Sequence, residues 1–237
     1  MNERRPLRLL TATVAALATG CLGWAAAGFL GANHGWFTAC AAVLVFYATL
    51  SVGLFTGRLW APALAQGASL FGAAAFAQSA WALGSVMPVI VGGFGLHALL
   101  GLLALGLDDG LSKRQRWSLR FAGAALAPAA FFALAPEQTG GTMIAVLVGA
   151  GLAWLGALGV ARGRTWGVLA ALIGAPVLAT AVWYAPELGY FDAQHFMVDQ
   201  PLLPLMLDVL GLAAAAGALL SVAPFLGPIA RFLRSTP

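Results

Sequence analysis

From position 9 to position 226 the chain is a succession of apolar runs of about twenty residues, and bases occur in only every other break between them. A run of that length, coiled at 1.5 Å per residue, crosses a hydrocarbon core of roughly 30 Å. Backbone groups in such a medium have no water to bond, so each segment must satisfy its own N–H and C=O groups, as a helix does. The pattern therefore points to an all-α, polytopic transmembrane bundle. A soluble alternative fails on surface chemistry. Charged residues are 8% of the chain against roughly 25% in an average soluble domain, and they are too few to cover the surface of a water-soluble protein of this size.

Eight spans are expected, at 9–30, 37–56, 61–83, 86–106, 118–135, 143–160, 166–185 and 202–226. The even-numbered connections hold Arg58, then Lys113, Arg114 and Arg116 with Arg120 entering the next span, then Arg162 and Arg164. The odd-numbered ones hold Glu137, Glu187, Asp192 and Asp199 and no base. Arg4, Arg5 and Arg8 precede the first span, and Arg231 and Arg234 follow the last. Short cytoplasmic loops retain Lys and Arg, so both termini are expected inside, in a cell membrane of the bacterial inner-membrane type. All twelve bases then share one face with Glu3, Asp108 and Asp109. The other face is purely acidic, and of the acids Asp208 alone lies within a span. The basic residues are scattered over short loops and do not line a groove, so the basic balance marks topology and not a nucleic-acid partner.

Tryptophans agree with these boundaries. Trp60, Trp117 and Trp166 fall at expected inner ends and Trp36, Trp81 and Trp183 near outer ones, as in an interfacial aromatic belt. Trp24 and Trp154 lie deeper and are expected to pack inside. The amino terminus also resembles a secretory signal, with Ala18-Thr19-Gly20-Cys21 as a lipobox-like end. However, the run continues to Leu30, and Ala18 stands where such a box usually has Leu.

One sequence recurs. Gly53-Leu54-Phe55-Thr56-Gly57-Arg58-Leu59-Trp60 aligns with Gly159-Val160-Ala161-Arg162-Gly163-Arg164-Thr165-Trp166, and the same offset superposes the first three spans on spans five to seven. Two tandem four-span units are expected, 1–112 and 113–237, in parallel orientation because each crosses an even number of times. Small residues suit close helix approach where lipid supplies no hydrophobic drive. Gly149, Ala153 and Gly156 form one such strip, and Gly211, Ala214 and Ala215 another, each a face for packing within the bundle or against a membrane-protein partner. Pro128, Pro176 and Pro224 interrupt three of the later spans.

Candidate chemistry is sparse. Ionisable groups at membrane depth are costly and mark function by default. His97 and Asp208 are the two that qualify, and they are expected to face each other as a hydrogen-bonded pair. On the outer face His34, His195, Met197, Asp192 and Asp199 form a loose ligand group, joined by Met87 and Met143, of the soft kind that suits Cu(I). No spacing among them is that of an established site, and no metal or cofactor is assigned. Lys113, Arg114, Arg116 and Arg120 beside Trp117 are candidates for lipid headgroup binding or for docking a partner.

Known enzyme patterns fail. Asp109-Gly110 followed by Gly123 resembles the start of the CDP-alcohol phosphotransferase motif, but Ala127 and Phe131 stand where its later aspartates belong. Gly67-Ala68-Ser69 has no suitable histidine partner for a rhomboid-like serine. A bis-histidine haem needs a second intramembrane histidine, and Lys113 lies outside the spans where a retinal Schiff base would form. The expectation is a non-enzymatic carrier or permease for a small neutral or lipid-like solute. The alternative is a non-catalytic subunit or assembly factor of a membrane complex, with outer-face copper handling more distant.

The alternation gives a direct test. In a variant without Cys21 and Cys40, single cysteines placed at 58, 114 and 162 should resist a membrane-impermeant maleimide in intact cells. Cysteines at 137 and 192 should react. Labelling of any of the first three would refute the both-ends-inside topology.

Overall fold

Helix signals stand where the apolar runs begin. Pro6 lies in the first turn of α1 (Arg5–Phe29) and Pro88 opens α4 (Pro88–Leu105), positions where a missing N–H costs no hydrogen bond. The other complete helices are α2 (His34–Phe55), α3 (Trp60–Leu83), α5 (Lys113–Leu134) and α6 (Thr165–Tyr184). The computed structural model describes residues 4–30, 34–83, 87–107, 110–134 and 164–184, with 144, 148–149, 151–153, 155–156, 159, 216, 219–220, 222–223, 225–227 and 231. Among these residues the secondary structure is all-helical. Arg5–Gly28 and Pro88–Leu105 are long and apolar enough to cross a membrane, while Cys40–Phe55 and Thr165–Val177 are shorter apolar stretches.

One boundary departs from expectation. α5 begins at Lys113, about a turn before the expected span start at 118. Ser112 and Gln115 form a capping box: the Gln115 N–H donates to Ser112 Oγ (3.3 Å), and Gln115 Oε1 accepts from the Ser112 N–H (3.2 Å) and hydroxyl (2.9 Å). Two donors of the first turn are thereby satisfied. Lys113, Arg114 and Arg116 are consequently helical and not loop residues, and their directions are set by the helix.

The first five helices close into a ring. α1 packs along α2, α2 against α5, α5 against α3, α3 against α4, and α4 back against α1. α5, the first helix after position 112, thus lies between α2 and α3, and its contact with α6 is slight. The core of the ring is built largely from small side chains: Ala12, Ala15 and Ala18 of α1, Ala61, Ala65 and Ala68 of α3, Ala104 of α4 and Ala122 of α5, filled out by Phe46, Leu50, Leu54, Leu100 and Leu119. A second cluster joins Val168 and Ala171 of α6 to Val222. The expected small-residue strip at 149–156 is partly seen, since Gly156 abuts Ala171 of α6 and Gly174 of α6 abuts Leu152 and Ala153.

The tightest described helix crossing is between α3 and α5. A Cβ on Gly67 would strike the carbonyl of Arg120, and a Cβ on Gly123 would strike the carbonyl of Leu64. Two backbones therefore touch directly and reciprocally, which side chains larger than hydrogen would prevent. The outer flanks of the helices are apolar: Leu17 of α1, Val45 and Val52 of α2, Leu99 and Leu102 of α4 and Leu169 and Ile173 of α6 are all exposed. Trp24, expected to pack inside, is 82% exposed. It shares its face of α1 with exposed Leu17 and Cys21 at helical spacing and turns away from the α2 contact.

The crossing predicts a localised sensitivity. Gly123→Leu should lower the thermal midpoint in detergent, with a cost of about 1–3 kcal/mol from overpacking. Gly92→Leu should change it little, because a Cβ at Gly92 meets nothing within contact distance.

Candidate functional site

His97 sits midway along α4, and its ring is held by three helices. Its Nδ1 lies 2.7 Å from the carbonyl oxygen of Gly93, one turn earlier. A carbonyl only accepts, so Nδ1 carries the proton and donates. In the neutral ring Nε2 is then an acceptor, and the Tyr47 hydroxyl of α2 donates to it at 2.7 Å. Tyr47 meets the imidazole edge-on (centroids 5.7 Å apart), and Phe46 meets Tyr47 in the same way at 5.4 Å. Phe76 of α3 lies 5.4 Å from His97 at a tilt of 41°. Gly72 of α3 permits this packing, since a Cβ there would collide with the imidazole, as one on Gly93 would with Phe76. Both nitrogens are satisfied, so the contact costs little to bury and ties α2 to α4. A ligand for Nε2 would have to displace Tyr47.

A second polar chain crosses the bundle nearer its basic end. Arg120 Nε of α5 donates to Gln66 Oε1 of α3 at 2.6 Å, and Gln66 Nε2 donates to the Ala104 carbonyl of α4 at 2.8 Å. The Arg120 guanidinium also lies over the Trp117 ring, 4.9 Å from its centroid, an attraction between the cation and the π face. Arg116 is half-buried and reaches back to the Leu111 carbonyl at 3.4 Å. The four bases grouped by sequence therefore separate: Arg116 and Arg120 turn into the fold, while Lys113 and Arg114 remain exposed.

At the same end, α2 closes in a Schellman turn. Arg58 N–H donates to the Gly53 carbonyl at 2.8 Å and Gly57 N–H to Leu54 at 3.2 Å, with Gly57 at φ 69°. Glycine takes this left-handed geometry without penalty. The Arg8 guanidinium of α1 rests on Gly57, with its Nε buried and, among the described residues, lacking a hydrogen-bond partner. The partial negative charge of the α2 C-terminus favours a cation there. Among the described residues the aligned turn repeats two bonds: Arg164 N–H to the Gly159 carbonyl at 2.8 Å, matching Arg58 to Gly53, and Gly167 N–H to Arg164 at 3.1 Å, matching Ala61 N–H to Arg58 at 3.1 Å. Trp60 covers Gly53, and Trp166 lies against Gly159.

Beside α5 a groove of about 400 Å³ opens, lined by Lys113, Arg114, Trp117, Phe121, Leu220 and Ala223. Trp117 and Phe121 stack at 5.8 Å with an interplanar angle of 28°. They follow Lys113 at one-turn intervals, so the α5 wall runs from cationic to aromatic along a single stripe.

The remaining candidates are not brought together by the described residues. Asp208, His195, Met197, Asp192, Asp199 and Met143 lie outside them, as do Pro224 and the strip at 211–215. His34 opens α2, and its side chain is outside the described set. Met87 is exposed just before α4, Cys21 is exposed and Cys40 is buried. Among the described residues no three His, Cys, Asp or Glu side chains gather as a metal site. Tyr47 and Gln66 were missed by the reading of sequence. Gln66 carried a signal, an amide within an apolar run. Tyr47 carried none, because its role depends on α2 meeting α4. No family profile, curated protein or solved structure matches the chain.

Tyr47→Phe should leave Nε2 without a donor at a cost of about 1–3 kcal/mol, read as a lower thermal midpoint. In the unsubstituted protein, ¹⁵N spectra of labelled histidine should show His97 as the Nδ1–H tautomer. An Nε2–H signal would contradict the assigned bonding.

Proposed function

We propose that the chain is a polytopic membrane protein of eight spans with both termini on its basic, cytoplasmic side, and that it is a carrier for a small neutral or lipid-like solute. The exposed apolar flanks of α1, α2, α4 and α6, with the charged groups gathered towards helix ends, support the membrane setting. The two hydrogen bonds shared by the Gly-x-x-x-Gly-Arg-x-Trp turns among the described residues support a tandem pair of four-span units in parallel orientation.

The observation that carries the choice of solute is the contrast between two sites. The polar groups of His97 and Tyr47 are spent on each other and on Gly93, so they offer a polar solute no vacant partner. The groove beside α5 is open and walled by Trp117, Phe121, Leu220 and Ala223. A lipid-like solute fits that surface better than a hydrophilic one, because its apolar part replaces lipid against the same walls. A second reading, the non-catalytic subunit of a membrane complex, is favoured by the exposed α1 face of Gly20, Trp24 and Gly28, where a Cβ on either glycine meets nothing. Such a face suits another helix.

Reconstituted vesicles decide between them. With a fluorescent phospholipid in both leaflets, the protein should raise several-fold the rate at which the inner-leaflet label becomes accessible to an external quencher. No acceleration, together with stoichiometric co-purification of a second membrane protein in mild detergent, would sink the carrier reading in favour of the subunit.

A further inference from the structure

We propose that the groove between α5 and the side chains of Leu220 and Ala223 binds an anionic phospholipid, with the phosphate held by Lys113 and Arg114 and one acyl chain laid along Trp117, Phe121, Leu220 and Ala223. The inference rests on the membrane setting proposed above and names the occupant of the same groove.

The order of chemistry along the wall matches that of a lipid. Lys113, Trp117 and Phe121 succeed one another at one-turn spacing on α5, so the stripe runs from cation to indole to phenyl over about 12 Å. A headgroup, a glycerol level and an acyl chain follow in the same sequence, and the indole is the side chain that favours the intermediate level. The walls beyond the two bases are entirely apolar. This suits an acyl chain and gives a free inorganic anion nothing beyond the rim.

The charges at the rim are available. Lys113 and Arg114 are exposed, and neither has an ion pair or side-chain hydrogen bond among the described residues. The neighbouring bases are already engaged, Arg120 with Gln66 and Trp117 and Arg116 with Leu111. Arg120 also fixes the wall itself: its guanidinium backs the Trp117 ring, which in turn stacks on Phe121. The capping box at Ser112 and Gln115 sets where α5 starts and hence the register that puts both free cations above the aromatic pair. The site therefore distinguishes lipids by charge at its mouth and accepts their chains without distinction below.

Native mass spectrometry of the detergent-solubilised protein provides the test, with dioleoyl phosphatidylglycerol and dioleoyl phosphatidylcholine added in equal amounts. The unsubstituted protein should retain the anionic lipid preferentially. K113Q/R114Q should reduce that preference by about twenty-fivefold, since each base near a lipid surface contributes on the order of fivefold. Ala223→Phe, which fills the groove, should reduce retention of both lipids. Arg114 and Lys113 are exposed, so an unchanged thermal midpoint for the double variant serves as the folding control. Equal retention by K113Q/R114Q and the unsubstituted protein would overturn the proposal, as would displacement of the phospholipid by millimolar inorganic phosphate. Binding is read here without movement. Retention by a protein that moves no lipid would uphold this site and sink the carrier, while movement without preference for the anionic lipid would do the reverse.

Discussion

The reciprocal contact of Gly67 and Gly123 is the joint on which the described bundle depends. With no side chain on either glycine, α3 and α5 meet backbone to backbone. That approach lets Arg120 reach Gln66, and Gln66 in turn reach the Ala104 carbonyl of α4. Three helices are thus fixed by direct backbone contact and two hydrogen bonds, beside the buried Leu64, Leu100 and Leu119. This is the economy expected where the surroundings are as apolar as the interior and packing must supply the attraction. The same crossing orients the opposite side of α5, so that Trp117, steadied by Arg120, and Phe121 face the groove.

Polar groups inside the ring are few and are spent on structure. Both nitrogens of His97 are engaged, with Gly93 holding Nδ1 and Tyr47 holding Nε2. Gly72 makes room for the ring, and Phe76 packs against it. A group so completely engaged holds helices together and is poorly placed to receive a solute. The unspent chemistry lies at the basic end, where Lys113 and Arg114 stand above apolar walls. The centre of interest therefore moves from the middle of α4 to the first turns of α5.

Several features were legible from residues alone because they depend only on local composition. The apolar periods anticipated six helices to within a few residues at most ends, since length and flanking breaks decide them. The start of α5 was not anticipated because a run of bases resembles a loop, and the Ser112–Gln115 capping box, a local signal, went unused. Trp24 was misplaced for a different reason. Depth along a helix can be counted from sequence, but the direction of a side chain around it depends on which neighbours pack there, and α2 packs on the other side.

Sequence by itself determined the helical class, the positions of the apolar segments and the segregation of charge, because these follow from hydrophobicity, chain length and the cost of an unsatisfied backbone in an apolar medium. Tertiary structure decided which helices touch. It inserted α5 between α2 and α3, gave His97 a tyrosine from fifty residues earlier, and separated four neighbouring bases into two that brace the fold and two that face a groove. These outcomes turn on close approach at single glycines between segments distant in the chain. No linear pattern records that approach, because each glycine acquires its role only from the backbone that meets it.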